Sequence, residues 1–259
     1  MGYGDEIMAA GHAEREAKRV GAPVHIVDRT GAPRWSDLWE GNPYIARPGE
    51  RAGGKVANGS GCRPYIAYPF TREKGHGYTD WRARDHRGQI YLTDNERKGG
   101  QRLVDFGDPF VVIEPNPKLM SNPNKWWPAK NWVELVALLD GVRLIQIGPA
   151  DSNRLRGVEF VPTASFRQGA GVLASATCLV ASEGGLHHAA AALNVPAVVI
   201  FGGSCSVEAT GYPDHINFGG LDPCGQWSPC QHCAATMRAI TPELVASAVQ
   251  QVLQSKGTP

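Results

Sequence analysis

The stretch CLVASEGGLHHAAAALNVPAVVIFGG, Cys178 to Gly203, limits what this chain can fold into more than any other. An apolar run, Cys178 to Ala181, halts at Ser182-Glu183-Gly184-Gly185. An alanine-rich run continues to Leu193, and Val195-Pro196 leads into a second apolar run, Ala197 to Phe201. The order predicts strand, glycine turn, helix, strand. Glycines between a buried strand and a helix let N–H groups at the helix N-terminus approach a ligand, and the helix dipole favours an anion there, such as a phosphate. The same Gly184-Gly185 pair can be a plain tight turn, with His187 and His188 as satisfied structural histidines.

The surroundings extend the pattern. Phe110 to Glu114 reads as a strand, Pro115 to Lys125 as a loop, and Pro128 to Asp140 as a helix with Trp132, Leu135, Val136 and Leu139 on one face. Val142 to Ile147 is a strand ending at Gly148, and Ser165-x-x-Gln168 is a capping box for a helix through about Ser175. A final helix starts at Thr241-Pro242-Glu243, with Leu244, Val245, Ala248, Val249, Val252 and Leu253 on its apolar face. Alternating strands and helices argue for a parallel, doubly wound sheet. In such a sheet ligands bind beyond the carboxyl ends of the strands, where Pro115–Lys125, Gly148–Asp151 and Glu183–Gly185 all fall.

The first hundred residues are less regular. Met1-Gly2-Tyr3-Gly4-Asp5 is a glycine-rich turn; Asp5-Glu6 open a helix-compatible run to Val20, closed by Gly21, and Val24 to Val27 follows as a strand. An α/β half usually opens with a strand before its glycine turn. Here the sequence begins at the turn, so either an upstream piece is absent or this lineage lacks that strand. Residues 29–62 are rich in Gly, Pro and Arg, with short apolar pieces only.

Charge is uneven along the 259 residues. Residues 1–102 hold 17 Lys+Arg against 13 Asp+Glu (+4) and residues 103–259 hold 9 against 12 (−3), which together give the net +1. Arg63 to Arg102 interleaves Arg72, Arg82, Arg84 and Arg87 with Tyr65, Tyr68, Phe70, Tyr78, Trp81 and Tyr91, a mixture suited to an anionic acceptor or nucleic acid. Glu73, Asp80, Asp85, Asp94 and Glu96 dilute it, and a salt-bridged surface has the same composition. Asp80, Asp85 and His86 read either as an acid/base cluster or as part of that ion-pair surface.

No stretch has the composition of a membrane span or a signal peptide, which places the expected location in the cytoplasm. Six cysteines then read as reduced thiols or, in part, metal ligands. Cys224-x5-Cys230-x2-Cys233, with His232 inside it and Cys205 and His215 nearby, offers zinc-like ligands without two clean CxxC pairs, leaving free thiols or a local bridge as alternatives.

The runs VVIEPNP, NKWWPAKNWVELVALL, LIQIGPAD and FVPTASFRQGAGVLASATCLVASEGGLHHAAAALNVPAVVIFGG resemble the C-terminal half of glycosyltransferase family 9, the ADP-heptose:lipopolysaccharide heptosyltransferases. The cysteine-containing tail resembles the ending common in that family, and GYGDEIMAAG resembles its N-terminal glycine-aspartate loop. The resemblance covers about 150 C-terminal residues, but only Gly4-Asp5 in the first hundred. It implies a GT-B fold, two Rossmann-like domains facing a cleft, with a reduced acceptor-side domain at 1–107 and a nucleotide-sugar donor domain at 108–259. By position it implies that Lys125 contacts the donor diphosphate, Asp151 after Gly148 the ribose, and Ala164 the base. Glu183-Gly184-Gly185, in place of the usual Asp-Ser/Thr-Gly, would bind the phosphates, with His188 beside them, and Asp5 would be the general base.

These implications describe an inverting glycosyltransferase that requires no cofactor, with an ADP- or UDP-linked sugar as co-substrate. Its acceptor would be a bacterial surface saccharide or a hydroxymethylated base of phage-type DNA, with Arg72, Arg82, Arg84 and His86 as acceptor-side candidates. Glu183 is one methylene longer than the usual Asp, which changes how a sugar would be gripped. The alternatives are a non-catalytic nucleotide-sugar-binding module and a phosphatase or epimerase on the same fold. Gly4-Asp5 beside a complete donor half argues against the former, and the absence of a GxGxxG fingerprint or a nucleophile against the latter. The oligomeric state is not readable.

Overall fold

The computed structural model describes residues 2–58, 66–71, 76–79, 87–105, 107–115, 122–219, 224–226 and 228–257. In chain order the elements are α1 (Tyr3–Val20), β1 (Val24–Val27), β2 (Gly54–Ala57), β3 (Ile66–Thr71), β4 (His76–Thr79), α2 (Asp94–Leu103), β5 (Val111–Glu114), α3 (Ala129–Leu138), β6 (Leu144–Gly148) and β7 (Glu159–Pro162). Then come α4 (Phe166–Leu173), β8 (Cys178–Ser182), α5 (Gly185–Leu193), β9 (Ala197–Gly202), α6 (Val207–Thr210), β10 (Ile216–Gly219), α7 (Gln231–Ala239) and α8 (Pro242–Gly257). Short 3-10 turns lie at Asp37–Trp39 and Pro123–Lys125.

The expected strand, turn, helix, strand unit is β8, Glu183-Gly184, α5 and β9. It sits inside a six-stranded sheet of order β10-β9-β8-β5-β6-β7, whose pairings are all parallel. Successive side chains of a strand point to opposite faces, and here both faces are covered. Val112, Leu179, Ala181, Val199 and Phe201 face one layer; Val111, Ile113, Cys178, Val180, Val198 and Ile200 face the other. That two-sided burial is why these strands read as unbroken apolar runs, and each buried Val, Leu or Ile contributes about 1.5–3 kcal/mol.

Helices α3, α7 and α8 cover the second face, through Trp132, Leu135, Met237, Val245, Val249 and Val252. Leu244, expected on the apolar face of α8, is 50 % exposed, because its position in the first turn lies off the stripe that Val245 and Val249 bury. The first face is covered by α4 and α5, and α1 and α2 pack on those helices in turn, α1 on α5 and α2 on α4. The α1–α5 seam is made of small residues: Ala9, Ala10 and Ala13 belong to the same buried cluster as Ala189, Ala190 and Ala192. At the α2–α4 crossing a Cβ on Gly100 would fall 2.2 Å from the Gly171 carbonyl carbon, so the crossing requires glycine.

This one core runs from Ile7, Val24, Ile26 and Trp39 through Phe110 and Val112 to Val199 and Phe201. Arg167 on α4, 9 % exposed, fastens the layers. It pairs with Glu96 at 2.6 Å and 2.8 Å and donates to the carbonyls of Tyr91 (2.8 Å) and Asp37 (3.1 Å).

In the first half, β1 pairs with β2 in parallel, and β3 with β4 antiparallel. Helix α1 ends at Val20 with Gly21 left-handed at φ 71°, as the sequence indicates. It starts at Tyr3, two residues before the expected Asp5, because Gly2 supplies the extended cap. Ser165 caps α4 as expected, accepting from the Gln168 N–H at 3.2 Å; the Gln168 side chain, however, accepts from the Ala164 N–H at 2.6 Å, one residue short of a reciprocal box. No helix among the described residues is long and apolar enough to cross a membrane.

Candidate active site

Because β5 and β8 are parallel neighbours, with Glu114 opposite Ala181, the segments that follow them leave the sheet at the same edge. This brings Lys125, in the 3-10 turn after β5, onto Glu183, the residue after β8. The Lys125 ammonium donates to Glu183 Oε2, and the other carboxylate oxygen lies 3.6 Å from His188 Nε2. His188 Nδ1 is 2.8 Å from the hydroxyl of Tyr212, whose ring carries the Arg87 guanidinium at 5.2 Å; Arg87 in turn pairs with Asp214.

The pair is asymmetric in exposure: the Glu183 side chain is 5 % accessible and that of Lys125 25 %. Burial alone would raise the Glu183 carboxyl, but the Lys125 charge and the hydrogen bond from His188 outweigh it and hold the group well below the usual carboxylate range. Burial would depress the Lys125 ammonium; the Glu183 charge reverses that, with smaller help from Cys205 and Asp5, and keeps it above its ordinary value. Both groups therefore stay charged as a pair, with the Lys125 ammonium as its more exposed member at the carboxyl edge, ahead of α5.

Asp5 belongs to this neighbourhood. Gly4 lies so close to α5 that a Cβ on it would be 2.6 Å from His188 Cδ2. The first turn of α1 is pinned from behind: Asn58 Nδ2 donates to the Asp5 carbonyl (3.0 Å), Trp39 Nε1 to the Glu6 carbonyl (2.8 Å), and Arg34 grips the Glu6 carboxylate at 2.5 Å and 2.9 Å. The Asp5 carboxylate accepts the Gly2 N–H at 3.1 Å, as an acid at the third helical position commonly does. Asp5 also lines a narrow recess with Met8, His12, Val56 and Asn58.

The glycine turn differs in detail from expectation. Gly184 is extended (φ 169°) and nothing crowds its Cβ position. At Gly185 a Cβ would touch Tyr3 Cβ and the Phe166 ring at 3.3 Å, and those two rings stack with centroids 4.3 Å apart. The second glycine is thus set by an aromatic wall across the two halves, with no demand on its backbone.

Gly148 ends β6, and Asp151 and Ala164 stand exposed on the loops after β6 and β7. Gln146, 1 % exposed, braces the Asp151 loop by donating to the Asn153 carbonyl (2.7 Å) and accepting from the Leu155 N–H (2.8 Å). Arg72, Arg82, Arg84, His86, Asp80 and Asp85 lie outside the described residues.

Among the described residues, two groups have metal-ligand geometry. Glu183, His187 and His188 place one ligand atom each within 4.8 Å of one another, but Lys125 already supplies the cation there. The sulfurs of Cys224, Cys230 and Cys233 and an imidazole nitrogen of His232 form the second group, within the same limit. Cys224 Sγ is 3.7 Å from Cys230 Sγ and 3.3 Å from Cys233 Sγ. A tetrahedron with metal–sulfur bonds of about 2.3 Å has edges of about 3.8 Å, so this donor set fits a zinc- or iron-like ion.

A family model described as glycosyltransferase family 9 (heptosyltransferase) matches residues 73–238, well over half of the chain. The chain belongs to glycosyltransferase family 9. Solved structures show the fold of that family, GT-B-like with parallel α/β sheets, at low identity. The family 9 glycosyl transferase of Veillonella parvula is 14% identical with a TM-score of 0.64, covering 98% of this chain and 95% of its own. TibC of enterotoxigenic E. coli, an iron-containing dodecameric glycosyltransferase, is 16% identical with a TM-score of 0.68, covering 99% of this chain and 74% of its own; it has also been solved with ADP-D-β-D-heptose. E. coli ADP-heptose lipopolysaccharide heptosyltransferase II is 20% identical with a TM-score of 0.51 over 65% of this chain, which spans only 54% of that enzyme. No curated protein matches in sequence.

Tyr212 and Asn124 were not identified from the sequence. Asn124 sits beside Lys125 and reaches the cysteine segment through hydrogen bonds, for which a linear pattern has no signal. Tyr212 follows a glycine in a loop and reaches His188 only once β10 is laid beside β9.

Proposed function

We propose that this family 9 member is an inverting glycosyltransferase that takes a sugar from a nucleoside-diphosphate donor. The observation that carries the reading is the convergence of Lys125, Glu183, His188 and the start of α5 at one sheet edge, with Asp5 brought beside them by α1. Lys125 and the first-turn amides of α5 would hold the diphosphate, with Gly148, Asp151 and Ala164 on the nucleoside side and Glu183-Gly184-Gly185 towards the sugar. The ADP-D-β-D-heptose complex of TibC supports a nucleotide-sugar donor. The nucleotide, ADP or UDP, follows from the family alone.

In the reaction Asp5 takes the proton of the acceptor hydroxyl as its oxygen attacks the anomeric carbon. The bond from that carbon to the diphosphate oxygen breaks on the opposite face, and the leaving charge falls on Lys125 and the α5 amides. No step of the transfer passes through the Cys224, Cys230, His232 and Cys233 group, whose ion would serve as a cross-link. The acceptor-side portion is 1–107 and the donor portion 108–259. A bacterial surface saccharide and a hydroxymethylated DNA base are the two acceptor classes, the first from the family and the second from the basic, aromatic Arg63–Arg102 region. A cytoplasmic location follows from the nucleotide-sugar donor. The bond from the Gly2 N–H to Asp5 is what a non-catalytic nucleotide-sugar module would also show, and it keeps that second reading in play.

Calorimetry with ADP, UDP and GDP tests the donor site: at least one should bind, and Lys125→Ala should weaken it about tenfold or more, as the loss of a charge-assisted hydrogen bond does. Unchanged affinity for every binder would move the site. Binding to hydroxymethylated DNA should fall steeply with salt; a flat dependence, or no transfer to it from any donor, would select the saccharide.

A further inference from the structure

The segment that carries the three cysteines is fastened to the same turn as Lys125. Asn124, 5 % exposed, donates through Nδ2 to the carbonyls of Gln226 (2.9 Å) and Ser228 (2.8 Å) and accepts the Cys230 N–H at 3.2 Å. Asn122 adds a bond from its Nδ2 to the Gln226 carbonyl at 2.8 Å and closes its own turn by accepting the Asn124 N–H at 3.0 Å. On its other side the segment hangs from the end of β9, with the Cys224 N–H on the Gly203 carbonyl (2.9 Å) and the Gly225 N–H on that of Ser204 (3.1 Å). A Cβ on Gly203 would come within 2.9 Å of His232 Nδ1, so the imidazole is seated directly on the strand end.

The sulfur geometry suits coordination better than a disulfide. A disulfide would join Cys224 to one neighbour and strand the other, whereas one ion satisfies three sulfurs and the imidazole together. Cys230 also caps α7, its sulfur accepting the Cys233 N–H at 3.4 Å, an arrangement that favours thiolate.

We infer that a thiophilic divalent ion held by Cys224, Cys230, His232 and Cys233 sets the position of Lys125 through Asn124, so that donor affinity depends on metal occupancy. This rests on the donor reading for its functional consequence, but the mechanical link to the 122–126 turn stands apart from it. With the ion bound, the carbonyls of Gln226 and Ser228 are held where Asn124 can bond both, and the turn that carries Lys125 has a rigid support. Without it, nothing cross-links the three thiols and the imidazole, and the turn loses the partners of Asn122 and Asn124 together. Outer-shell partners around a metal site commonly change metal affinity or activity by about 10–100-fold when removed.

The test compares the metal-loaded protein, the same protein stripped by chelator and reloaded with Zn²⁺ or Co²⁺, and the variants Asn124→Ala and Asn124→Asp, with Lys125→Ala as reference. Metal content is read by mass spectrometry, thiolate ligation by the Co²⁺ charge-transfer band, ADP, UDP and GDP affinity by calorimetry, and the amides of 122–126 by hydrogen exchange. The expected result is about one ion per chain, faster exchange at 122–126 after stripping, nucleotide affinity about tenfold weaker, and full recovery on reloading. Asn124→Ala should keep the ion yet show the same faster exchange and weaker affinity, and Asn124→Asp, which retains only the acceptor for the Cys230 N–H, should fall between. A protein that takes up no Zn²⁺ or Co²⁺, or whose cysteines prove to be a disulfide, overturns the metal. Exchange at 122–126 indifferent to stripping and to Asn124→Ala overturns the coupling, whether or not any nucleotide binds. If Lys125→Ala alone leaves affinity intact while exchange responds as expected, the donor placement fails and the mechanical link holds.

Discussion

The pairing of Lys125 with Glu183 can be measured by a double-mutant cycle, using Lys125→Met, Glu183→Gln and the two together. Glu183 is the more deeply buried partner, at 5 % exposure against 25 % for Lys125. Lys125→Met leaves a buried carboxylate with only the His188 ring at 3.6 Å, and breaking a buried pair from one side costs about 3–5 kcal/mol. Glu183→Gln leaves an ammonium that can still reach water, so its cost should be about 1–3 kcal/mol, that of one polar group left badly partnered. The double variant buries no unpaired charge and should lose only about 1–2 kcal/mol. The cycle therefore predicts a favourable coupling of about 2 kcal/mol or more. Urea unfolding of the four proteins at neutral pH provides the numbers. Lys125→Met should also melt about 6–20 °C below the parent, from about 2–4 °C per kcal/mol at this size. The pH dependence has a definite sign. The Glu183 carboxyl is depressed in the folded protein, so the stability it contributes is fully present above its ordinary value of about 4.5 and is lost as pH falls below that. Single variants that simply add, within about 0.5 kcal/mol, would refute the reasoning and make the contact incidental.

Three further outcomes follow from the same structure. Asp5→Asn keeps a helix-capping side chain but cannot accept the acceptor proton, so turnover should fall by roughly two to four orders of magnitude with nucleotide affinity and melting temperature nearly unchanged; turnover within a few-fold of the parent rejects the base assignment. Burial lowers His215 to about 4 and depresses His187, neither of whose ring nitrogens has a hydrogen-bond partner among the described residues. The unfolded chain then binds more protons, so stability should be complete above about pH 6.5 and decline towards pH 4, and His215→Phe should flatten part of that decline in denaturant midpoints. Its Arg167 partner leads in holding Glu96 at about 2, so the pair's contribution should be full above about pH 4.5 and fade towards pH 2; Glu96→Gln should remove about 2–3 kcal/mol at neutral pH and little at pH 2.

What could be read from the sequence follows burial. Strands β5, β6, β8 and β9 are covered on both faces, so their apolar runs, broken only by Gln146 in β6, were legible to within two residues. Strands β2 (GKVA), β7 (EFVP) and β10 (INFG) lie at sheet edges or pair with only one neighbour, their burial alternates or fades, and the apolar signal is diluted below recognition. Helix α2 carries charged residues and two glycines and was not read from the sequence; its Thr93–Glu96 capping box forms in both directions. For the site, Lys125, Glu183 and His188 were each legible as positions to single out, through the resemblance to the family. Their mutual contacts were not, because they depend on β5 lying next to β8, a matter of strand order that no local pattern encodes.

The seating of Gly4 against His188 joins α1 to α5 and brings Asp5 towards the turn that carries Glu183. Loop-closure entropy makes such a distant contact one of the costlier to form. The parallel strands that place Glu183 beside Lys125 are themselves non-local. Assembly of the site should therefore lag behind collapse of the sheet. During synthesis α1 is made well before α5, so its alanine face stays uncovered until that partner helix arrives.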